Sequence, residues 1–512
     1  METNAQTTGA WILVLLYMAG LLYLVFKGAK QTRSLSDYAL GSVVFSPVAV
    51  GLSLAASMTS AATFVINPGF IANFGISGVI SYAIALPLAS VISLVLLTKS
   101  FRRYGQTVKA LTLAQWIGSR YDSKPFALFM GVLALLLLTF IVLIVVALTK
   151  VLSSALQVNE TLVMISIVVF VFGYMMFGGA NSMVYTNTIQ AAIMILVAIL
   201  LIGSGYEHLK DGISSFLGQL AAIDPALVKT TNPASPLFRD YYEIIFAQVV
   251  VGIAIVVQPH IITRSLLLKN ENDVNKFLVT AVIVELLFFA VVIAGLYARL
   301  TFPDLTVGGK TLPNDGIIPA YVRAVYAGSP LALVVGLFVI LGLIAAGMST
   351  LEGLVQSVST TITSDLLKPV FGKHLPENKL VFVNRLAIVG MAVVTLLLSY
   401  RQLIAPKLSV GIFAQNGVYA YFSAAFIPVI FGIFVKDIKA WVPFAAAITA
   451  ILVHFGVYYI LPAGVEHMGW QLGFFTKFLE GPVRNPAIAS SSAIVASSII
   501  GFILLKISRL RT

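Results

Sequence analysis

Ala345-Ala346-Gly347-Met348-Ser349-Thr350-Leu351-Glu352-Gly353 sits inside an apolar run that extends from about residue 331 to 362. A run of that length crosses a bilayer as one helix, which takes about 20 mostly apolar residues. Within it, Ala346, Ser349 and Thr350 stand at i, i+3 and i+4 and share one helical face. Two hydroxyls and a carbonyl on one face make an oxygen half-site for a hard cation. Glu352 follows three residues after Ser349. A charge at helix centre costs about 2.5–3.5 kcal/mol on insertion scales. Glu352 therefore reads either as a functional group or as a glutamate facing the surface near the helix end.

The rest of the chain repeats the apolar pattern. Its 512 residues are 59% hydrophobic and only 10% charged, with a mean hydropathy of +0.99. A soluble domain carries about 25% charged residues, so a bilayer must be part of this protein's solvent. Thirteen membrane helices are predicted, at 9–27, 44–66, 78–98, 125–149, 160–178, 185–206, 241–262, 277–300, 331–362, 380–400, 409–435, 440–461 and 485–506. No basic residue precedes the first, which argues against a cleaved signal peptide. The formal net charge is +12, and most of the 32 Lys and Arg gather in alternate connections, among them Lys99, Arg102, Arg103, Lys436 and Lys439. The positive-inside rule then places the N-terminus outside and the C-terminus in the cytoplasm of a plasma membrane. The lipid bilayer, not a nucleic acid, is the expected partner of this charge.

Several functions are excluded or disfavoured. Without cysteine there are no disulfides, thiol nucleophiles or Cys-ligated metals. The longer connections, 207–240, 301–330 and 462–484, are short against the roughly 50–250 residues of a domain. Gly308-Gly309-Lys310-Thr311 resembles part of a phosphate loop, but Asp304 stands where the first glycine must be. No acid–base or metal set converges, so an enzyme is not expected, and nothing calls for an obligate protein partner.

Other polar groups lie at bilayer depth. The second helix carries Ser53, Ser57, Thr59, Ser60 and Thr63 among alanines, then Asn67-Pro68-Gly69. Small residues allow close helix contact in any bundle; hydroxyls can also coordinate a cation. The seventh helix ends in Gln258-Pro259-His260 with Arg264, where the proline removes a backbone bond and forces at least a kink. Glu285 lies midway along the eighth helix. No cation can be assigned to it from sequence, so it is protonated or paired across helices.

Four segments in order carry a resemblance: the serine-rich second helix ending in Pro68-Gly69, Phe177-Gly178-Gly179, Gln258-Pro259-His260 with Arg264, and Ala345 to Thr350 with Asp365. Through them nearly the whole chain resembles the sodium:solute symporter family. The resemblance implies an all-α polytopic protein of LeuT type. Two inverted five-helix repeats would span 44–206 and 241–435, with an extra first helix at 9–27 and two C-terminal helices within 440–506. It implies a sodium ion as coupling ion, held by the carbonyls of Ala56, Thr59 and Ala346 and the hydroxyls of Ser349 and Thr350. Broken second and seventh helices would flank a mid-membrane solute pocket, for which Ser57, Ser60, Thr63 and Gln258 are the candidates.

Two departures stand out. Many relatives have an aspartate near the start of the sixth helix, where this chain has Asn187, and the proline branch has one in the second helix, where this chain has Met58. Asn187 is therefore a candidate coupling residue, together with Glu285 and Glu352, and Glu352 is placed to supply the missing charge. The function expected is sodium-coupled uptake of a small carboxylate or amino acid by alternating access. Proton coupling or a sugar or polyol substrate are the alternatives. A channel or a transporter-like sensor is a more distant one.

Overall fold

A computed structural model describes residues 2–268, 270–371, 377–405 and 408–510. All thirteen predicted helices are present. In chain order they are α1 (Glu2–Ala29), α2 (Pro47–Met58 and Ala62–Phe74), α3 (Ile76–Val108), α4 (Lys124–Leu156), α5 (Glu160–Met175), α6 (Gly179–Gly203), α7 (Tyr242–Ile255 and Pro259–Leu267), α8 (Asp273–Thr301), α9 (Pro330–Val370), α10 (Glu377–Ile404), α11 (Val410–Phe434), α12 (Trp441–Met468) and α13 (Pro486–Leu510). Ten are long and apolar enough to cross a bilayer, and the bent pairs in α2 and α7 bring the count to twelve. The thirteenth, α5, is a shorter apolar helix of 16 residues. Several helices outrun their predicted ends. α9 continues to Val370 and so includes Asp365, because a helix does not stop where its residues turn polar.

The two breaks have local causes. In α7, Gln258 has ψ 138, the extended value that a following proline imposes. Pro259 then starts the second half at a position where its missing N–H costs nothing, and the halves meet at 56°. In α2 the first half opens at Ser46, whose side chain caps Ala49 N, and ends at Thr59 with φ −98 and ψ 99. The second half begins as a wide π turn over Ala62–Ile66, which accommodates Pro68, and the bend is 53°. Gly295 of α8 lets the chain pass close here. A Cβ on it would lie 2.1 Å from Pro68 O.

α9 packs against α2, α4 and α6 in the middle of the bundle, and every residue from Val339 to Thr361 on it is buried. The phosphate-loop lookalike is a tight hairpin. Thr306–Val307 pairs antiparallel with Lys310–Thr311, and Gly308 and Gly309 both have positive φ, the requirement of the two-residue turn between them.

Candidate functional site

Where α2 breaks, it faces the polar middle of α9. Ser349 Oγ lies 2.7 Å from Ala56 O and 3.1 Å from Ala346 O. Thr350 Oγ1 lies 3.1 Å from Ser57 O, 3.4 Å from Ala346 O and 3.5 Å from Ala56 O. Four of the five expected sodium-ligand oxygens therefore converge. A hard cation of calcium's size, as sodium is, sits about 2.3–2.6 Å from its oxygens, which puts neighbouring ligands about 3.3–3.7 Å apart. The spacings of Thr350 Oγ1 from the Ala346 and Ala56 carbonyls, 3.4 and 3.5 Å, lie in that range, and the others are shorter. The Ser349–Ala56 contact must open by several tenths of an ångström, and both hydroxyl protons must turn away. All four oxygens are neutral, so a bound ion keeps its charge. The contact that the structure shows for Thr59 is a different one: its hydroxyl donates to Glu285 Oε2 at 3.2 Å.

Beside this cradle lies a buried charge pair that makes no direct contact. Arg264, just past the α7 break, donates from Nη1 to Ser53 Oγ at 2.9 Å and from Nε to His260 O at 3.3 Å, and its Nη2 hydrogen-bonds Ser57 Oγ. Glu352 is 0% exposed, which removes the surface-facing reading. Its carboxylate accepts from Tyr174 OH at 2.6 Å, from Thr186 Oγ1, and from Gln190 Nε2 at 3.3 Å. Asn187 stands between the two charges. With Nδ2 towards the carboxylate, it donates to Glu352 Oε2 at 3.0 Å and to Gln190 Oε1 at 2.8 Å, while its carbonyl accepts from Arg264 Nη2 at 3.1 Å. The opposite orientation would set acceptor against acceptor. Arg264 and Glu352 thus bracket the cradle, one through Ser57 and the other along α9. Glu285 is also fully buried, and its Oε1 has no hydrogen-bond partner among the described residues.

Between the two broken helices lies a cavity of about 90 Å³. At roughly 10–15 Å³ per water-sized occupant, that is room for about six to nine heavy atoms. Ser60, Thr63 and Gln258 line it as expected, and so does Asn67. Gln258 donates to Ile255 O at 3.1 Å, which leaves its Oε1 without a partner. Ser57 is not brought to the cavity; it is held between Arg264 and Ser349 O, to which it donates at 3.2 Å. Tyr82, Phe140, Phe289, Gln415 and Tyr419 complete the wall. Reasoning from polar outliers does not find the aromatic members, because an aromatic in an apolar run carries no signal. Asn416 turns away from the cavity to His454 at 2.9 Å and Tyr459 at 2.8 Å.

A helical bundle with two broken membrane helices, an oxygen cradle at one break and a small cavity between them is the architecture of a secondary transporter. Comparison with known proteins agrees. The family model of the sodium:solute symporter family matches residues 38–449, and the chain belongs to that family. It is 25% identical to the sodium/pantothenate symporter of Haemophilus influenzae over 85% of this chain and 87% of that one. It is 23% identical to an osmoregulated proline transporter of Bacillus subtilis over 88% and 92%. Among solved structures, a Na+-coupled sialic acid symporter in a substrate-bound outward-open state superposes with a TM-score of 0.74 at 18% identity, covering 97% of this chain and 98% of that one. Mhp1, a nucleobase-cation-symport-1 family transporter, gives 0.52 at 16% identity, covering 92% and 93%. The protein is a multi-pass membrane transporter of LeuT type, not an enzyme.

Proposed function

We propose that this symporter carries a small carboxylate-bearing solute into the cell with sodium, by alternating access, with its N-terminus outside. The observation that carries the reading is the convergence of the Ala56, Ala346, Ser349 and Thr350 oxygens across the α2–α9 contact. An ion there would join two elements that otherwise move separately, so its binding would order the α2 break next to the solute cavity. Moving one charge through 100 mV supplies about 2.3 kcal/mol, enough for roughly 50-fold accumulation of a neutral solute.

The cavity wall supports the solute class. Among the described residues no Lys, Arg, Asp or Glu lines it, so a carboxylate entering it must be met by neutral donors and dipoles. The half-helices that start at Ala62 and Pro259 present positive dipole ends at the two breaks, which suit a carboxylate. A sugar would need amide or carboxylate partners for each hydroxyl, and among the described residues the amides that line the cavity are Asn67, Gln258 and Gln415. The moving unit in this reading comprises parts of two repeats, 44–206 and 241–435.

The test is uptake by reconstituted vesicles of L-proline, L-alanine, acetate, pantothenate and glucose, under an inward sodium gradient and in equimolar potassium. Sodium-dependent accumulation of a carboxylate and not of glucose is expected. Equal accumulation in potassium with a response to a proton gradient would replace sodium by protons. Accumulation of glucose alone would overturn the solute class.

A further inference from the structure

α1 and α5 stand on either side of α4 and α9, each packed on both, and a groove of about 250 Å³ runs between them. Trp11, Leu15 and Leu162 are exposed at its mouth, and Val171, Ile344 and Met348 are buried at its floor. Among the described residues no Lys, Arg, Asp, Glu, Asn or Gln lines it. Its two hydroxyls are committed elsewhere. Ser166 Oγ donates to Leu162 O at 2.8 Å, and Tyr17 OH accepts from Gln190 Nε2 at 3.0 Å. A water needs two to four polar partners, and an apolar cavity of roughly 150 Å³ already stays dry and takes an apolar guest. Neither water nor a polar solute suits this larger one.

The mouth is continuous with the bilayer-facing surface. Leu16 beside it on α1 and Ile165 and Val169 beside it on α5 are exposed and apolar, so the medium that meets the groove is hydrocarbon. Its shape is long. It follows α1 from Trp11 to Met18 and α5 from Leu162 to Val171, about 10 and 14 Å at 1.5 Å per residue. The hydrocarbon of one leaflet is about 15 Å deep. In the proposed orientation both helices run inward. The groove then begins near the outer surface, where Trp11 stands at the depth that tryptophans favour, and ends near the midplane. The floor is the back of the cradle. Met348 directly precedes Ser349 and Thr350, and at about 100° per residue it lies about 200° round α9 from Thr350. One faces the groove and the other faces α2. Tyr17 provides a second link, because the Gln190 amide that donates to it also donates to Glu352 at 3.3 Å.

We infer that this groove binds one acyl chain of an outer-leaflet lipid, and that the end of the chain backs α9 behind the cradle and holds it against α2. The leaflet rests on the orientation proposed above and the effect on sodium rests on the cradle reading. The site itself rests on neither.

The test has two arms. In the first, the protein is reconstituted in phosphatidylcholine vesicles with a trace of phosphatidylcholine that carries a diazirine at the end of one acyl chain, illuminated, and mapped by peptide mass. Adducts are expected on Ile344 or Met348, which are buried from surface lipid, beside reference adducts on the exposed Leu16 of α1 and Val393 of α10. Ile167→Trp, and separately Ser166→Trp at an exposed position of the wall, set an indole in the groove, and each lowers the α9 adducts fivefold or more against the references. In the second arm, delipidated protein in a steroid-based detergent, which has no acyl chain, binds radioactive sodium. Restoring phosphatidylcholine raises the sodium affinity of the wild type at least fivefold and that of Ile167→Trp less than twofold, because the indole takes the place of the chain. Reference adducts without α9 adducts overturn the site, whether a second copy of the protein or nothing fills the groove. So do α9 adducts that neither tryptophan lowers. Adducts on α9 with sodium binding that lipid does not change overturn the backing of the cradle and leave the site. Adducts on α9 with no sodium binding in any state overturn the cradle reading of the proposed function, and again leave the site.

Discussion

Replacing Glu352 by glutamine isolates the charge balance beside the cation cradle. Glu352 lies two and three residues from the cradle hydroxyls of Thr350 and Ser349 on one helix, and Arg264 reaches the same place from the other side through Ser57. Side chains three apart on a helix are about 5–6 Å apart at Cβ, so a carboxylate reaching to α6 lies about 8 Å from a cation in the cradle. At an effective dielectric of about 20, one charge at 8 Å contributes about 2 kcal/mol. Arg264 contributes a similar amount of opposite sign, so in the wild type the two nearly cancel. Glu352→Gln removes the attraction and leaves the repulsion, a loss of about 2 kcal/mol, or roughly 30-fold in sodium affinity. At a sodium concentration of 100 times the wild-type Kd, sodium stabilises the fold by about 2.7 kcal/mol; a 30-fold weaker site gives about 0.9. The assay is the melting temperature of detergent-purified protein titrated with sodium chloride against choline chloride at constant ionic strength. The double variant Glu352→Gln/Arg264→Gln is measured alongside, and it recovers wild-type affinity within about threefold if the charges cancel as argued. A sodium response of Glu352→Gln within threefold of the wild type, in a folded protein, refutes the reasoning. It would mean that the carboxyl carries no charge in the resting protein or that the cation binds elsewhere.

Three further outcomes are expected. Thr350→Ala removes one cradle oxygen and leaves the Ser57 carbonyl short of a partner; at about 1–3 kcal/mol for such a loss, the sodium needed for half-maximal uptake rises about 5- to 150-fold, and the sodium-specific melting shift shrinks accordingly. Gln258→Ala removes from the cavity wall an acceptor that has no hydrogen-bond partner among the described residues, so the half-saturating solute concentration rises about tenfold at saturating sodium while the sodium-induced melting shift in the absence of solute stays within twofold. Gly411→Val drives a side chain into Ile66 and Phe70; initial uptake falls at least tenfold, measured against solute-free sodium binding, which stays within threefold because the cradle is on α2 and α9.

All thirteen helices were legible because a bilayer leaves the backbone no alternative: every N–H and C=O at depth must be paired within a helix or against protein. The ends were not, as α9 shows by continuing through Asp365 to Val370. There the helix follows its contacts with other helices beyond the point where hydropathy falls. The α7 break is written in the chain as Pro259, with Gln258 ahead of it. The α2 break is not, since Thr59, Ser60 and Ala61 contain no breaker and the nearest proline is seven residues beyond Ala61. What meets it there is tertiary: Thr59 Oγ1 donates to Glu285 of α8, and Ser349 and Thr350 of α9 donate to the Ala56 and Ser57 carbonyls. The candidate site divides in the same way. Ser349 and Thr350 could be paired on one face from spacing alone, and their carbonyl partners followed from the family resemblance. Ser57 and Ser60 look equivalent in sequence, yet one is tied to Arg264 and the other faces the cavity, a difference that only the rotation of α2 decides. Glu352 shows why the polar outliers have to be read together. A carboxylate at that depth signals only that something must repay its desolvation. In the folded chain, Tyr174, Thr186, Asn187 and Gln190 each donate to it, and three of the four come from α6. An aspartate at position 187 would face Glu352 at hydrogen-bond distance, and two carboxylates would then share one arginine. Asparagine at 187 and glutamate at 352 are thus one choice rather than two. The amide turns its donor to the carboxylate and its acceptor to Arg264, and so keeps a single negative charge at this contact, on α9, the helix that carries the cradle hydroxyls.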